Sequence, residues 1–177
     1  MATTKWGIDP AHSEISFRVK HMMISTTTGW FESFTADAET ENEDFTGAKI
    51  NFSADTASIN TRNEARDNHL RSGEFFDSEK FPKLTFTAKS FDKKSDDQYT
   101  LTGDLTIRDV TKPVELGVEF GGVATDPWGN LRAGFEINGE INRKDFGLTW
   151  SAVTEAGGVV VSDAVKLHAH VELIKQA

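Results

Sequence analysis

Apolar and polar residues alternate along this chain for most of its length. Ile15, Phe17 and Val19 are interleaved with Ser16, Arg18 and Lys20; Phe34, Ala36 and Ala38 are interleaved with Thr35, Asp37 and Glu39. A repeat of two puts successive side chains on opposite faces of a strand, so each run predicts a strand with one dry and one wet face. The repeat returns at 48–54, 84–88, 101–107, 114–120, 131–141 and 165–173, which makes eight predicted strands. Turn signals stand between them: the acidic ETENEDFTG, the charged DKKSDDQ, RDVTKPV with Pro113, and GGVATDPWGN with Pro127 and Gly129. Short connections imply antiparallel neighbours, and several strands run well past the usual length of about five or six residues. Long antiparallel strands in a meander favour closure into a barrel, which removes free edges; a two-sheet sandwich is the competitor. The expectation is an all-β, eight-stranded antiparallel barrel forming one domain over residues 1–177.

One stretch breaks the pattern. TRNEARDNHLRSGEFF, residues 61–76, is nearly all polar and predicts a short helix at about 62–72. Thr61 with Glu64 reads as a capping box, Gly73 as a left-handed stop, and Asp67 with Arg71 as an acid-to-base pair four apart. So short a helix is marginal alone, and its apolar content is only Ala65 and Leu70 beside His69. The anchor expected is Phe75 and Phe76, followed by Phe81 and Pro82. The helix then forms a lid or shoulder at one barrel end that presents Arg62, Arg66, Asn68, His69 and Arg71.

Composition removes several kinds of chemistry. The 177 residues include no cysteine, which excludes disulfides, thiolate catalysis and cysteine-held zinc or iron–sulfur sites. A net charge of −9 argues against nucleic acid or an anionic membrane surface as a partner, since both attract concentrated lysine and arginine. No apolar run approaches the roughly 18 residues of a membrane-spanning helix. The N-terminus MATTKWGIDPAHS carries no basic segment leading into an apolar run, so a cytoplasmic location is expected.

Six collinear pieces resemble a known family: DPAHSEISFRVKHM from Asp9, GWFESF from Gly29, INTRNEARDNHLRSGEFFDSEKFPKLTF from Ile59, LTGDLTIRDVTKPVEL from Leu101, GFEINGEINRKDFGLTW from Gly134 and VSDAVKLHAHVEL from Val161. Together they are similar to the YceI-like family of lipocalin-like, polyisoprenoid-binding proteins. The resemblance implies an eight-stranded barrel whose apolar lumen holds one long-chain lipid or isoprenoid, with pairing as a homodimer. The chain departs from the family pattern at Trp30, inside the GxFxxF piece, and at Ser151 after Trp150; both bear on pocket shape.

The strand pattern itself nominates lumen residues: Phe17, Val19, Phe34, Ile50, Phe52, Phe86, Leu105, Ile107, Leu116, Val118, Phe135, Ile137 and Leu167, with Trp150 at the mouth. An eight-stranded barrel either fills itself with side chains or holds one small ligand. His21 continues the Phe17–Val19 face and either points inward or sits at the rim. Arg143 and Asp145, within the DFG bend, are expected to pair near the mouth beside Arg62, Arg66, Asn68, His69, Phe75 and Phe76. No glycine-rich phosphate loop accompanies that DFG, so kinase chemistry is excluded. His168 and His170 share a strand face at metal-ligand spacing, but on the polar side and without a third ligand, so no metal and no cofactor is expected. Asp9, Pro10 and Ser13 read as a turn, the acidic run 37–44 as a solvated hairpin, and the NFS sequon at Asn51 as idle within a strand. Three function classes follow: a carrier of an isoprenoid, quinone tail or fatty amide; an enzyme working on a lipid head group with His21, His69, Arg143 and Asp145; and a filled, ligand-free structural or stress-response barrel. The first is the expected one.

Overall fold

The computed structural model describes residues 3–41, 44–150 and 160–176. The chain forms a closed antiparallel barrel of eight long strands with one short helix, three of the strands being kinked into paired segments. The first is split into β1 (Thr4–Ile8) and β2 (Glu14–His21), the second into β3 (Ser25–Phe31) and β4 (Phe34–Thr40), the third into β5 (Lys49–Asp55) and β6 (Ile59–Asn60). The rest are continuous: β7 (Lys83–Lys93), β8 (Gln98–Ile107), β9 (Val110–Thr125), β10 (Leu131–Asn142) and β11 (Ala164–Lys175). The wall runs β1-β4-β5-β7-β8-β9-β10-β11 and closes where Trp6 of β1 stands opposite Lys175 of β11. β2 pairs along the same edge of β11, with Glu14 opposite His170. The expected turn makes the kink between them: the Asp9 carboxylate accepts the Ala11 N–H at 3.0 Å and caps a 3-10 turn over Pro10–His12.

Two irregularities set which side chains face inward. Between Ala88 and Ser90 the register of β7 against β8 shifts, so Phe91 joins Leu84 and Phe86 on the inner face although it breaks the strict alternation. A second shift at Gly134/Phe135 brings Phe135 opposite Phe120. These aromatics close the lower end of the barrel around Phe45, which is 2% exposed. Its ring centroid lies 5.0 Å from Trp6, 5.5 Å from Phe120 and 5.1 Å from Phe135, while Phe91 stacks on Tyr99 at 4.7 Å. The acidic hairpin expected to be merely solvated therefore carries the plug of the barrel. A left-handed φ of +66° at Phe45 turns its side chain inward, and the Tyr99 hydroxyl donates to the Asp44 carbonyl at 2.6 Å beside it.

Arg132 fastens the closing seam at the same end. Its Nη1 lies 2.7 Å from the Asp9 carboxylate and 2.6 Å from that of Glu172, and its Nε 2.8 Å from that of Asp126. Asp9, His12 and Glu172 bring three ligand atoms within 4.8 Å of one another, but the guanidinium already answers both carboxylates. The same guanidinium holds the Asp126 carboxyl at about 2, below its ordinary 3.8, and also lowers Asp9. A carboxylate with a depressed folded-state pKa stabilises the fold above its ordinary value and loses that contribution as pH falls through the folded value. The barrel is therefore expected to lose stability as pH drops from 3.8 toward about 2. Arg132→Gln should lower the melting temperature at neutral pH and flatten that acid limb; an unchanged acid limb, read by thermal melts across pH, would show that the seam is not electrostatic.

Candidate functional site

The inner faces of the strands do not meet. They enclose a cavity of about 440 Å³, within the range of about 300–1,000 Å³ typical of small-molecule sites. Its wall is almost wholly aliphatic and aromatic, with Phe52, Phe86, Leu105, Leu116, Val118 and Ile137 around the middle and Phe45, Phe91 and Phe135 at the closed end. Glycines give these side chains room: a Cβ on Gly103 would fall 2.6 Å from the Phe86 ring, and one on Gly139 would fall 2.2 Å from a Leu116 methyl. Each of these large residues lies back over a backbone that has no side chain there, which keeps it out of the lumen.

The helix α1 (Glu64–Arg71) covers the open end. Its cap is not the expected one: Asn63 is the N-cap and accepts the Arg66 N–H at 3.0 Å, and the helix ends at Ser72 in an extended conformation without using Gly73. Thr61 serves a different purpose. Its N–H and hydroxyl donate to the buried carboxylate of Asp67 at 2.8 and 2.5 Å. Asp67 is thus spent on Thr61 rather than on Arg71, because a short helix with little apolar surface needs a polar tether to the strand before it. Phe75 and Phe76 are the apolar anchors: Phe76 meets Phe31 edge-on at 5.7 Å, and Phe75 forms a cluster with His69 at 5.1 Å and Trp150 at 5.4 Å.

The arginines expected on the lid and at the mouth are each engaged by the protein itself. Arg66 donates through Nε to the Thr61 hydroxyl and through Nη2 to the Thr61 carbonyl, both at 2.8 Å. Arg71 donates to the carbonyls of Ala57 and Ile59 and to Asn68. Arg62 lies over the Trp30 ring at 4.6 Å, and neither Trp30 nor Asn68, which accepts from Arg71, is on the cavity wall; Ser151 falls outside the described residues. Arg143 is 3% exposed and is held by four carbonyls, Ser162 at 2.9 Å, Leu148 at 2.7 Å, Trp150 at 2.6 Å and Val161 at 3.4 Å. Its ion pair is with Asp163 at 3.7 Å and not with Asp145, which stands exposed in the 3-10 bend Arg143–Phe146. Burial pushes the Arg143 pKa down, but a guanidinium stays charged in a protein. His69 is held by the rings of Phe75 and Trp150 and by Glu74 at 3.3 Å. These groups are fastened to the protein separately and converge on no common point.

Residues 6–173 match the YceI-like domain. The chain belongs to the YceI-like family. A UPF0312 protein of Staphylococcus aureus strain MSSA476 is 39% identical over 170 residues, which is 96% of each chain. Among solved structures, the Campylobacter jejuni YceI protein aligns at a TM-score of 0.77 and 34% identity, covering 89% of this chain and 90% of that one. Burkholderia cenocepacia BcnA aligns at 0.79 with 22% identity, covering 93% and 98%. A polyisoprenoid binding domain from Saccharophagus degradans aligns at 0.73 with 14% identity, covering 97% and 98%; these last two share the fold.

Within this YceI-like barrel the residues nominated from alternation all line the cavity except Phe34. Phe34 sits next to the kink between β3 and β4 and stacks behind Phe52, ring centroids 6.5 Å apart. His21 is exposed at the rim and contributes to the lining there. Of the mouth group, Arg66, His69, Phe75, Phe76 and Arg143 border the cavity, while Arg62, Asn68 and Asp145 do not. His168 and His170 share a strand face, their ring centroids 6.2 Å apart, opposite to the buried Val165, Ala169 and Leu173. Among the lining residues that sequence reasoning did not nominate are Phe31, Phe45 and Phe91, together with Leu84, Leu101, Val114 and Val171 from strands it had recognised. Phe91 follows a bulge and Phe45 lies in a connection, so neither carries the strand repeat that identified the others.

Proposed function

We propose that residues 1–177 form a single-domain, non-catalytic carrier that holds one long-chain apolar lipid, an isoprenoid, quinone tail or fatty amide, in the barrel lumen. The observation that carries this reading is the cavity: apolar on its walls, plugged by Phe45 at one end and covered by α1 at the other. Burying a chain of about 20 methylenes at roughly 0.8 kcal/mol each yields on the order of 16 kcal/mol, against about 4 to 15 kcal/mol for association and ordering. Micromolar binding, about 8 kcal/mol, is thus within reach with no strong polar contact. The Saccharophagus degradans neighbour is a polyisoprenoid binding domain, which agrees with a ligand of this class.

The enzyme reading has less support. Acid–base work needs a base positioned within reach of its proton, whereas Arg143 and His69 are directed to separate partners and Asp145 stands exposed off the cavity wall. Mass spectrometry of lipids extracted from the purified protein tests the carrier: recovery of one class of long-chain lipid is expected, and empty protein from every expression host would overturn it. Leu116→Trp fills the middle of the lumen, so the longest chain accepted should shorten; an unchanged chain-length preference in binding titrations contradicts lumen binding. Pairing of two barrels belongs to the same proposal and is read by light scattering.

A further inference from the structure

We infer that the turn between β2 and β3 is a docking point that seats the open end of the barrel on the surface of an anionic lipid bilayer. Met22, Met23 and Ile24 are consecutive and are 41%, 61% and 81% exposed, an apolar tip on a surface that is otherwise strongly charged. Such a tip is costly to keep in water and gains by entering a membrane interface. Backbone geometry adds to this. Met22 and Met23 have φ of +52° and +60°, where glycine and asparagine are favoured and unbranched side chains are uncommon. The turn is nonetheless held in place: the Ile24 N–H donates to the His21 carbonyl at 3.1 Å and the Met22 N–H to the Val160 carbonyl at 2.8 Å. Local sequence preference is set aside to hold three apolar side chains outward at a fixed point.

Position and charge identify the occupant. His21, the first residue of this turn, borders the cavity, as do Val160 and Val161 beside it, so the tip stands at the lip of the lumen. Between Glu14 and Glu32 there is no acidic residue, in a chain with 28 of them. Arg18 and Lys20 project on the exposed side of β2 and make no ion pair among the described residues. Lys166 stands opposite Arg18, with Glu140 on its other side. Asp163, the nearby lip carboxylate, is already answered by Lys144 at 3.3 Å and Arg143 at 3.7 Å. An apolar tip flanked by cations that make no ion pair among the described residues is complementary to anionic head groups over an acyl interior, despite the chain's overall −9. Trp128, 80% exposed at the opposite end of β10, is a lone apolar residue beside the Asp126–Arg132 pair and makes an internal control.

The inference rests on the exposed tip and gives the carrier a place to load, so the test separates the two. Full-length protein is sedimented with vesicles of equal parts phosphatidylcholine and phosphatidylglycerol, and with pure phosphatidylcholine. Wild type should co-sediment with the mixed vesicles, less with the neutral ones, and less as salt is raised. The double variant Met23→Ser, Ile24→Ser should bind roughly tenfold more weakly, with its melting temperature unchanged, while Trp128→Gln binds as wild type. Binding of the soluble apolar dye N-phenylnaphthylamine without vesicles should be the same in wild type and double variant. Dye binding without vesicle binding overturns the docking point and leaves the carrier; vesicle binding without dye binding does the reverse. Equal sedimentation of double variant and wild type overturns the inference. So does a wild-type dimer that the double variant splits while neither sediments, since the tip would then join copies of this chain.

Discussion

Phe45→Ala is expected to destabilise the barrel by about 3–5 kcal/mol and to lengthen the hydrocarbon that the lumen accepts. Phe45 is 2% exposed and touches three other rings, so its removal leaves a void that the strands around it cannot close. Leucine should lose less, because it fills part of that void. The left-handed φ of +66° strains any side chain at this position, alanine included, so the comparison reads packing rather than backbone relief. The void is continuous with the cavity, since Phe45 lines its closed end. Longer chains should therefore bind the variant better relative to wild type, the opposite of Leu116→Trp. Urea unfolding measures the first effect and a titration series of increasing chain length the second. A loss below about 1 kcal/mol would mean that the lower end collapses, and a normal length preference would mean that the lumen does not end at Phe45.

How far the sequence disclosed this arrangement depends on what enforces each feature. Burying one face of a strand forces the repeat of two, so the strand count was legible and, Phe34 apart, each lumen residue nominated from it between Phe17 and Leu167 does line the cavity. The kinks were only half legible: Asp9 and Pro10 announced one, but β3, with Ser25 and three threonines, shows no apolar alternation and is held by its pairing with β2. Bulges leave no mark in the pattern except an apparent error, and Phe91 was such an error. The lid was found by its polarity, yet its caps were misassigned because Thr61 and Asn63 are both good caps and tertiary contact with Asp67 chose between them. Long cationic side chains were the least legible. The expected barrel put Arg66, Arg71 and Arg143 at one end, but whether a guanidinium faces a ligand or a backbone carbonyl is settled only by where the chain folds back.

Arg143 gives the second large effect. Arg143→Met is expected to cost about 3–5 kcal/mol, at the level of breaking a buried charged network. The side chain ties two stretches of the mouth together: Leu148 and Trp150 on one side, Val161 and Ser162 on the other. A methionine of similar length fills the space but donates nothing, and the carbonyls left behind cannot be mutated away. Replacing a buried ion pair by apolar residues is often harmless when both partners are exchanged; here only the donor can be, so the desolvation of the acceptors remains uncompensated. Lysine keeps the charge but not the planar fork, and one ammonium cannot span four acceptors on two segments, so Arg143→Lys should recover little. The effect should reach function through geometry. Trp150 packs on His69 and Phe75 of the lid region, so freeing its carbonyl loosens the cover of the lumen as well as the fold. Ligand release should then accelerate in conditions where the variant is still folded, with equilibrium unfolding and stopped-flow release measured on the same sample. If Met is tolerated within about 1 kcal/mol, water reaches those carbonyls and the mouth is held by its aromatic cluster instead.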